Sequence, residues 1–149
     1  MGKVDQGVVV HWVASHVFDK ALRYIGYGGG GKQVRDILHV SDLAGLIDQP
    51  IGALHSLKGD VFNVGGGVDC SISLRELTEL CQRATGRTVP VASEAETRRA
   101  DIRMYLSDCR KVQQRFDWRP THNPAAIVED IARWVHNERG ALEPVFFNK

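Results

Sequence analysis

Apolar residues recur at helical spacing in several stretches of the chain, and polar residues suited to capping bracket most of them. From residue 73, Leu74, Leu77, Leu80 and Cys81 share one face. Ser73 and Glu76 stand at capping-box spacing before that stripe and Gly86 follows it, so a helix is predicted over 73–85. Ile127, Ile131, Trp134 and Val135 form a second stripe behind Asn123 and Pro124, which suit the N-cap and first position of a helix near 124–139 that Gly140 ends. Asp108 precedes a shorter stripe of Val112 and Phe116, which predicts a helix over 108–116. Ser41 caps another over 41–57, which Pro50 should interrupt or kink. Residues 5–19, DQGVVVHWVASHVFD, read two ways. Val8, Val9, Val10, Trp12 and Val13 have strand propensity, whereas Asp5 as an N-cap and the fourfold spacing of Val9, Val13 and Val17 favour a helix, the preferred reading.

The shorter apolar runs read as strands. Leu22–Ile25 and a second run over 34–40 flank a turn at 26–31 and are predicted to pair as a hairpin. A buried strand is predicted over 61–64, delivering the chain into three consecutive glycines. The segment TVPVASEAETRRADIRMYLSD is expected to be irregular or extended, and Phe146 and Phe147 to lie in a tail. The fold class is α+β.

Composition narrows the function classes. At 149 residues the chain is one domain's worth, and 43% hydrophobic with 25% charged residues matches an ordinary soluble domain. A net charge of +1 supplies no broad field for nucleic acid or an anionic membrane, so neither is an expected partner. The three cysteines are odd in number and show no C-x-x-C spacing, which argues against a zinc site and a full disulfide framework and fits a reducing compartment. No apolar run spans a bilayer, and Met1 leads into charged residues rather than a signal peptide. A cytoplasmic location is expected.

Two glycine clusters invite a nucleotide-binding reading. Gly26, Gly31 and Lys32 match most of G-x-x-x-x-G-K-[ST], but the last position is Gln33, which offers no hydroxyl for magnesium, and strand-like residues follow where a helix is needed. Lys32 then reads as a surface charge. Gly65 and Gly67 could open G-x-G-x-x-G, but the third glycine position is Cys70 and no strand-helix-strand unit surrounds it.

The segments GKQVRDILHVSDL, VFNVGGG, SLRELTEL and ETRRADIRMYLSDCRKVQQRFDWRP, in that order, resemble the C-terminal part of NAD-dependent nucleotide-sugar epimerases and dehydratases. These are extended short-chain dehydrogenase/reductases, and the nearest likeness is to CDP-tyvelose 2-epimerase-like members. Gln33, Arg35, Asp36, His39, Val40 and Asp42 match a family strand and the helix start after it. Arg98, Ala100, Asp101, Asp108, Lys111 and DWRP match later motifs, with Arg99 in place of a proline and Asp117 in place of a glycine. The resemblance implies that Arg35 and Arg98 clamp the diphosphate of a nucleotide sugar, a role that suits forked, permanently charged guanidinium groups. It places Asp101 near the ribose hydroxyls and the backbone of Leu22, Arg23 and Tyr24 against the base. His39 reads as a structural hydrogen-bonding residue and Cys81 as core; the alternative readings are a surface ion pair for Arg35 with Asp36 and a solvated face for Arg98, Arg99 and Arg103.

The resemblance also implies an absence. The family's glycine loop and catalytic Tyr-x-x-x-Lys have no counterpart: Gly28, Gly31 and Cys109 stand four residues after Tyr24, Tyr27 and Tyr105. The chain is therefore expected to be a piece of a Rossmann-type enzyme, residues 1–149 being its C-terminal substrate-binding portion. That portion would comprise the hairpin, one strand of the parent sheet and several helices. NAD is expected in the parent and not on this chain, no metal is expected, and the chain alone is expected to lack turnover as an isomerase. A stand-alone, non-catalytic binding or interaction module on the same scaffold is the alternative. Surfaces exposed by truncation are expected to drive self-association, with residues 8–13 as the segment offered to a partner.

Overall fold

The computed structural model describes residues 7–51, 57–99 and 101–147. In chain order the elements are α1 (Val8–Val17), β1 (Leu22–Ile25), β2 (Val34–Asp36), α2 (Val40–Ile51), β3 (Ser71–Ser73) and α3 (Leu74–Thr85). There follow β4 (Val91–Glu94), β5 (Met104–Tyr105), α4 (Arg110–Phe116), α5 (Pro124–Asn137) and α6 (Arg139–Phe147). The α+β class holds. The expected N-cap Asp5 and part of the expected helix 41–57 lie outside the described residues.

The helices begin and end where capping chemistry allows. At α3 the Ser73 hydroxyl accepts from the Glu76 amide at 3.2 Å and the Glu76 carboxylate accepts from the Ser73 amide at 2.8 Å, while Gly86 closes the helix in a left-handed conformation. Asn123 Oδ1 accepts from the Ala126 amide at 2.9 Å at the start of α5. Three expectations are corrected. Ser41 lies inside α2, which begins at Val40. Cys109, not Asp108, is the N-cap of α4, although Asp108 Oδ1 accepts from the Arg110 amide. Gly140 does not end the helical chain: α5 stops at Asn137 and Gly140 lies inside α6.

The strand pairings differ more. The expected hairpin over 22–40 does not form. β1 pairs in parallel with β4, Leu22 opposite Val91, while β2 lies between β3 and β5 in a separate three-stranded sheet, parallel to β5. The turn between β1 and β2 sends the chain to a different sheet instead of folding it back on itself. Strand β2 is also shorter than expected: it ends at Asp36, and residues 37–39 lead irregularly into α2. Residues 61–64 are irregular: Val61 is 79% exposed, and among the described residues this segment has no strand beside it to complete a backbone ladder.

The chain divides into two compact units. One comprises residues 1–33, 73–103 and 128–149, the other 34–72 and 104–127. In the first, α1 packs on α3, burying Trp12, Val13, Val17, Leu77 and Cys81, with Val128 and Val135 of α5 also in the interior. The apolar start of the chain is thus covered within its own unit. Trp134, expected in the core, is 46% exposed; α5 turns Val128, Ala132 and Val135 inward instead. In the second unit Leu46, Cys109, Val112 and Trp118 form the core, with Leu38, Phe62, Val64 and Phe116 packed against it.

Candidate functional site

The first unit holds a cavity of about 410 Å³ beside β1, lined by Leu22, Arg23, Ile25, Trp12, His11 and Arg98 among others. Three of the sequence-predicted residues, Leu22, Arg23 and Arg98, therefore meet at one place. The segment carrying Arg98 is held there by the turn after β1. The Tyr27 amide donates to Thr97 Oγ1 at 2.8 Å, the Tyr27 hydroxyl donates to the Asp101 carbonyl at 2.7 Å, and the Asp101 amide donates to the Arg98 carbonyl at 3.0 Å. Arg98 is exposed and Asp101 half-buried.

Strand β1 pairs with β4 alone in a two-stranded sheet, and on its other edge the Ile25 carbonyl accepts from Gln33 Nε2. The Tyr24 side chain turns inward: its ring stacks on Trp12 at 6.1 Å and its hydroxyl donates to Thr78 Oγ1 at 2.7 Å. Trp12 Nε1 donates to the same Thr78 oxygen at 2.9 Å. Such a rigid floor positions the cavity wall. His11 and Trp12 were not singled out as site residues, because an apolar run at helical spacing signals core equally well.

Neither glycine cluster is shaped for a ligand. A Cβ on Gly31 would stand 2.9 Å from the Tyr24 ring, so this glycine is needed for close packing of the chain on itself. Gln33, at the position a phosphate loop gives to Ser or Thr, is buried and donates from Nε2 to the Ile25 carbonyl. A Cβ on Gly66 would collide with the Ile37 carbonyl and Cys70. The residues present do not fit a dinucleotide: Gly65 and Gly66 approach the chain's own backbone and side chains, and the turn leads into β3, not directly into a helix.

In the second unit the motif residues are joined to one another. Asp36, at the end of β2, accepts from the Gly67 amide at 3.0 Å and the Ser107 amide at 3.2 Å through Oδ2. Asp42, on the first turn of α2, accepts through Oδ1 from the Thr121 hydroxyl at 2.6 Å and amide at 3.1 Å, and through Oδ2 from the His122 amide at 3.2 Å. Trp118 Nε1 donates to the Asp42 carbonyl at 3.1 Å. Burial pushes the Asp42 carboxyl up, but the hydrogen bonds from Thr121 and His122 outweigh it and hold the group at about 2. His39 stacks on His122 at 4.1 Å and accepts the Ser41 amide at 3.2 Å, a structural role.

Lys111 Nζ donates to Asp60 Oδ1 at 3.0 Å and to the Val61 carbonyl at 2.9 Å, and lies 4.7 Å from the Phe62 ring centre. Arg35, half-buried on β2, donates from Nη1 to the Val34 carbonyl at 2.8 Å. Arg35 and Arg98 belong to different units. Among the described residues no group of three His, Cys, Asp or Glu side chains is placed to hold a metal ion, and no helix is long and apolar enough to cross a membrane.

No family model matches the chain. Comparison with individual proteins is informative. The chain is 30% identical over 107 residues to the CDP-paratose 2-epimerase of Salmonella typhi, covering 72% of this chain and 31% of that protein. It superposes with a TM-score of 0.67 on the UDP-glucose 4-epimerase of Thermotoga maritima solved with UDP-glucose, at 21% identity, covering 91% of this chain and 40% of that one. The dTDP-glucose 4,6-dehydratase of Bacillus anthracis solved with NAD gives a TM-score of 0.67 at 23% identity, again over 91% and 40%. The chain spans about a third of the length of the curated relatives it matches.

Proposed function

Because this chain is a relative of the NAD-dependent nucleotide-sugar epimerases and dehydratases, we propose that it is the nucleotide-sugar-binding portion of such an enzyme. The observation that carries this reading is the cavity beside β1, where Leu22, Arg23 and Arg98 converge although 75 or so positions separate them in sequence. The backbone of β1 receives the base, and Arg98 receives the diphosphate through charge-assisted hydrogen bonds. Arg35 is assigned to a diphosphate as well, and Asp101 to the ribose hydroxyls, as the resemblance implies. Residues 1–149 act together as a substrate-binding portion. The chemistry, NAD included, belongs to parts of the enzyme that carry the glycine loop and the Tyr-x-x-x-Lys pair, both lacking in this sequence.

Titration calorimetry with UDP and CDP tests the assignment. The chain should bind weakly, and Arg98→Ala or Arg35→Ala should weaken binding by about 1.5–3 kcal/mol, the worth of one hydrogen bond to a charged group. Equal affinity in the wild type and both variants would remove the assigned roles. Incubation with NAD and a panel of CDP- and UDP-sugars should give no turnover. The stand-alone binding module is the second reading, favoured by the buried core that each unit has of its own, and persistence of nucleotide affinity without any catalytic partner in the source organism would support it.

A further inference from the structure

The first unit contains a second cavity, of about 470 Å³, which the nucleotide-sugar reading does not use. Its apolar floor is Val17, Ala84 and Ala132, and its rim carries Arg87, Arg133, His136 and Arg139 against a single carboxylate, Glu129. We propose that this cavity is an anion site that takes the phosphate or diphosphate end of a small phosphorylated molecule, with the rest of the molecule against the apolar floor.

Three permanent positive charges against Glu129 and the Asp130 carboxylate paired with Arg133 still leave a positive excess at the rim, in a chain whose formal net charge is only +1. Such a concentration at a concave surface focuses the field on an incoming anion. Two of the three guanidinium groups have partners beside the cavity. Arg133 Nη1 pairs with Asp130 Oδ1 at 2.7 Å, and the Arg139 guanidinium lies 5.4 Å from the centre of the Phe18 ring. Each guanidinium carries five N–H donors, so one carboxylate partner or one ring face leaves donors for a ligand oxygen. Arg87 sits just beyond the end of α3, where its own amide donates to Thr85 Oγ1 at 3.3 Å, which fixes the backbone from which its side chain departs. The volume is of the size that small-molecule sites occupy, roughly 300–1,000 Å³. Arginine is the side chain whose forked geometry matches phosphate oxygens, and three from separate segments, residues 87, 133 and 139, face one space.

Calorimetric titration of inorganic pyrophosphate into the 149-residue chain tests the proposal, with four variants compared. Arg87→Gln and Arg133→Gln should each weaken binding about tenfold, the effect of losing one charge-assisted contact. Arg75→Gln, an exposed arginine of α3 paired with Glu79, and Arg110→Gln, an exposed arginine paired with Asp108 in the second unit, should leave it unchanged. Absence of binding by the wild type would overturn the proposal. Equal weakening in all four variants would overturn it too, by revealing a diffuse attraction. Unchanged binding in both Arg87→Gln and Arg133→Gln would place the anion outside this cavity and overturn it equally.

Discussion

Asp42 shows why one carboxylate recurs in the strand-to-helix motif. Its two oxygens gather three donors from Thr121 and His122, so the start of α2 and the segment after Trp118 are tied together by a side chain only 4% exposed. The ordinary carboxyl value of 3.8 falls to about 2, and a depressed acid stabilises the folded state above its unfolded value. That contribution is complete above 3.8 and is lost as the pH falls towards 2, a shift on the order of 2 kcal/mol. Asp42→Asn should therefore lower the urea midpoint at neutral pH, and its deficit should close as the pH is lowered through that window. A deficit independent of pH would mean that the carboxylate charge plays no part.

At the scale of elements, helices were more legible than strands. The capping box of α3 involves residues three apart, and its geometry needs nothing from the remainder of the chain. Ser73→Ala should cost about 1 kcal/mol in chemical denaturation. A loss under a few tenths would show that tertiary packing alone holds the helix start. Helix α6 escaped the pattern because Gly140 and Pro144 both read as helix breakers. Packing overrides them: the Phe147 ring meets Phe18 at 5.5 Å and His11 at 6.3 Å, and Lys20 lies 5.5 Å from its centre. Strand partners are a nonlocal choice. Leu22 had to find Val91, and nothing in the residues between β1 and β2 distinguishes a hairpin from two separate parallel pairings.

At the scale of the whole molecule, the second unit leaves apolar side chains uncovered. Val40 is 73% exposed, Ile47 54% and Val61 79%, the first two on one helix at helical spacing. Exposed groups of this kind favour association, so we expect the chain to self-associate. Sedimentation over a concentration series should show a mass that rises with concentration. Ile47→Lys should lower it, and a monomer at every concentration would contradict the expectation. Residues 8–13, the segment expected to cross to a partner, have Trp12 and Val13 in the interior of the first unit.

Local chemistry determined the helices other than α6, the capping box of α3, the rejection of both glycine loops and the likeness to known enzymes, because each rests on residue types at short fixed spacing. The motifs that carried the kinship were legible one at a time, whereas their joining was not. The contacts from Asp36 to Ser107, 71 positions apart, and from Asp42 to Thr121, 79 apart, exist only once the chain is folded. The same holds for the candidate site. Leu22, Arg23 and Arg98 could be named in the sequence, but their meeting in one cavity depends on Tyr27 holding the segment from Thr97 to Asp101. The cationic cavity of Arg87, Arg133 and Arg139 left no sequence signal at all, since charges spread over 52 positions of chain read as ordinary solvated surface until three segments bring them to one rim.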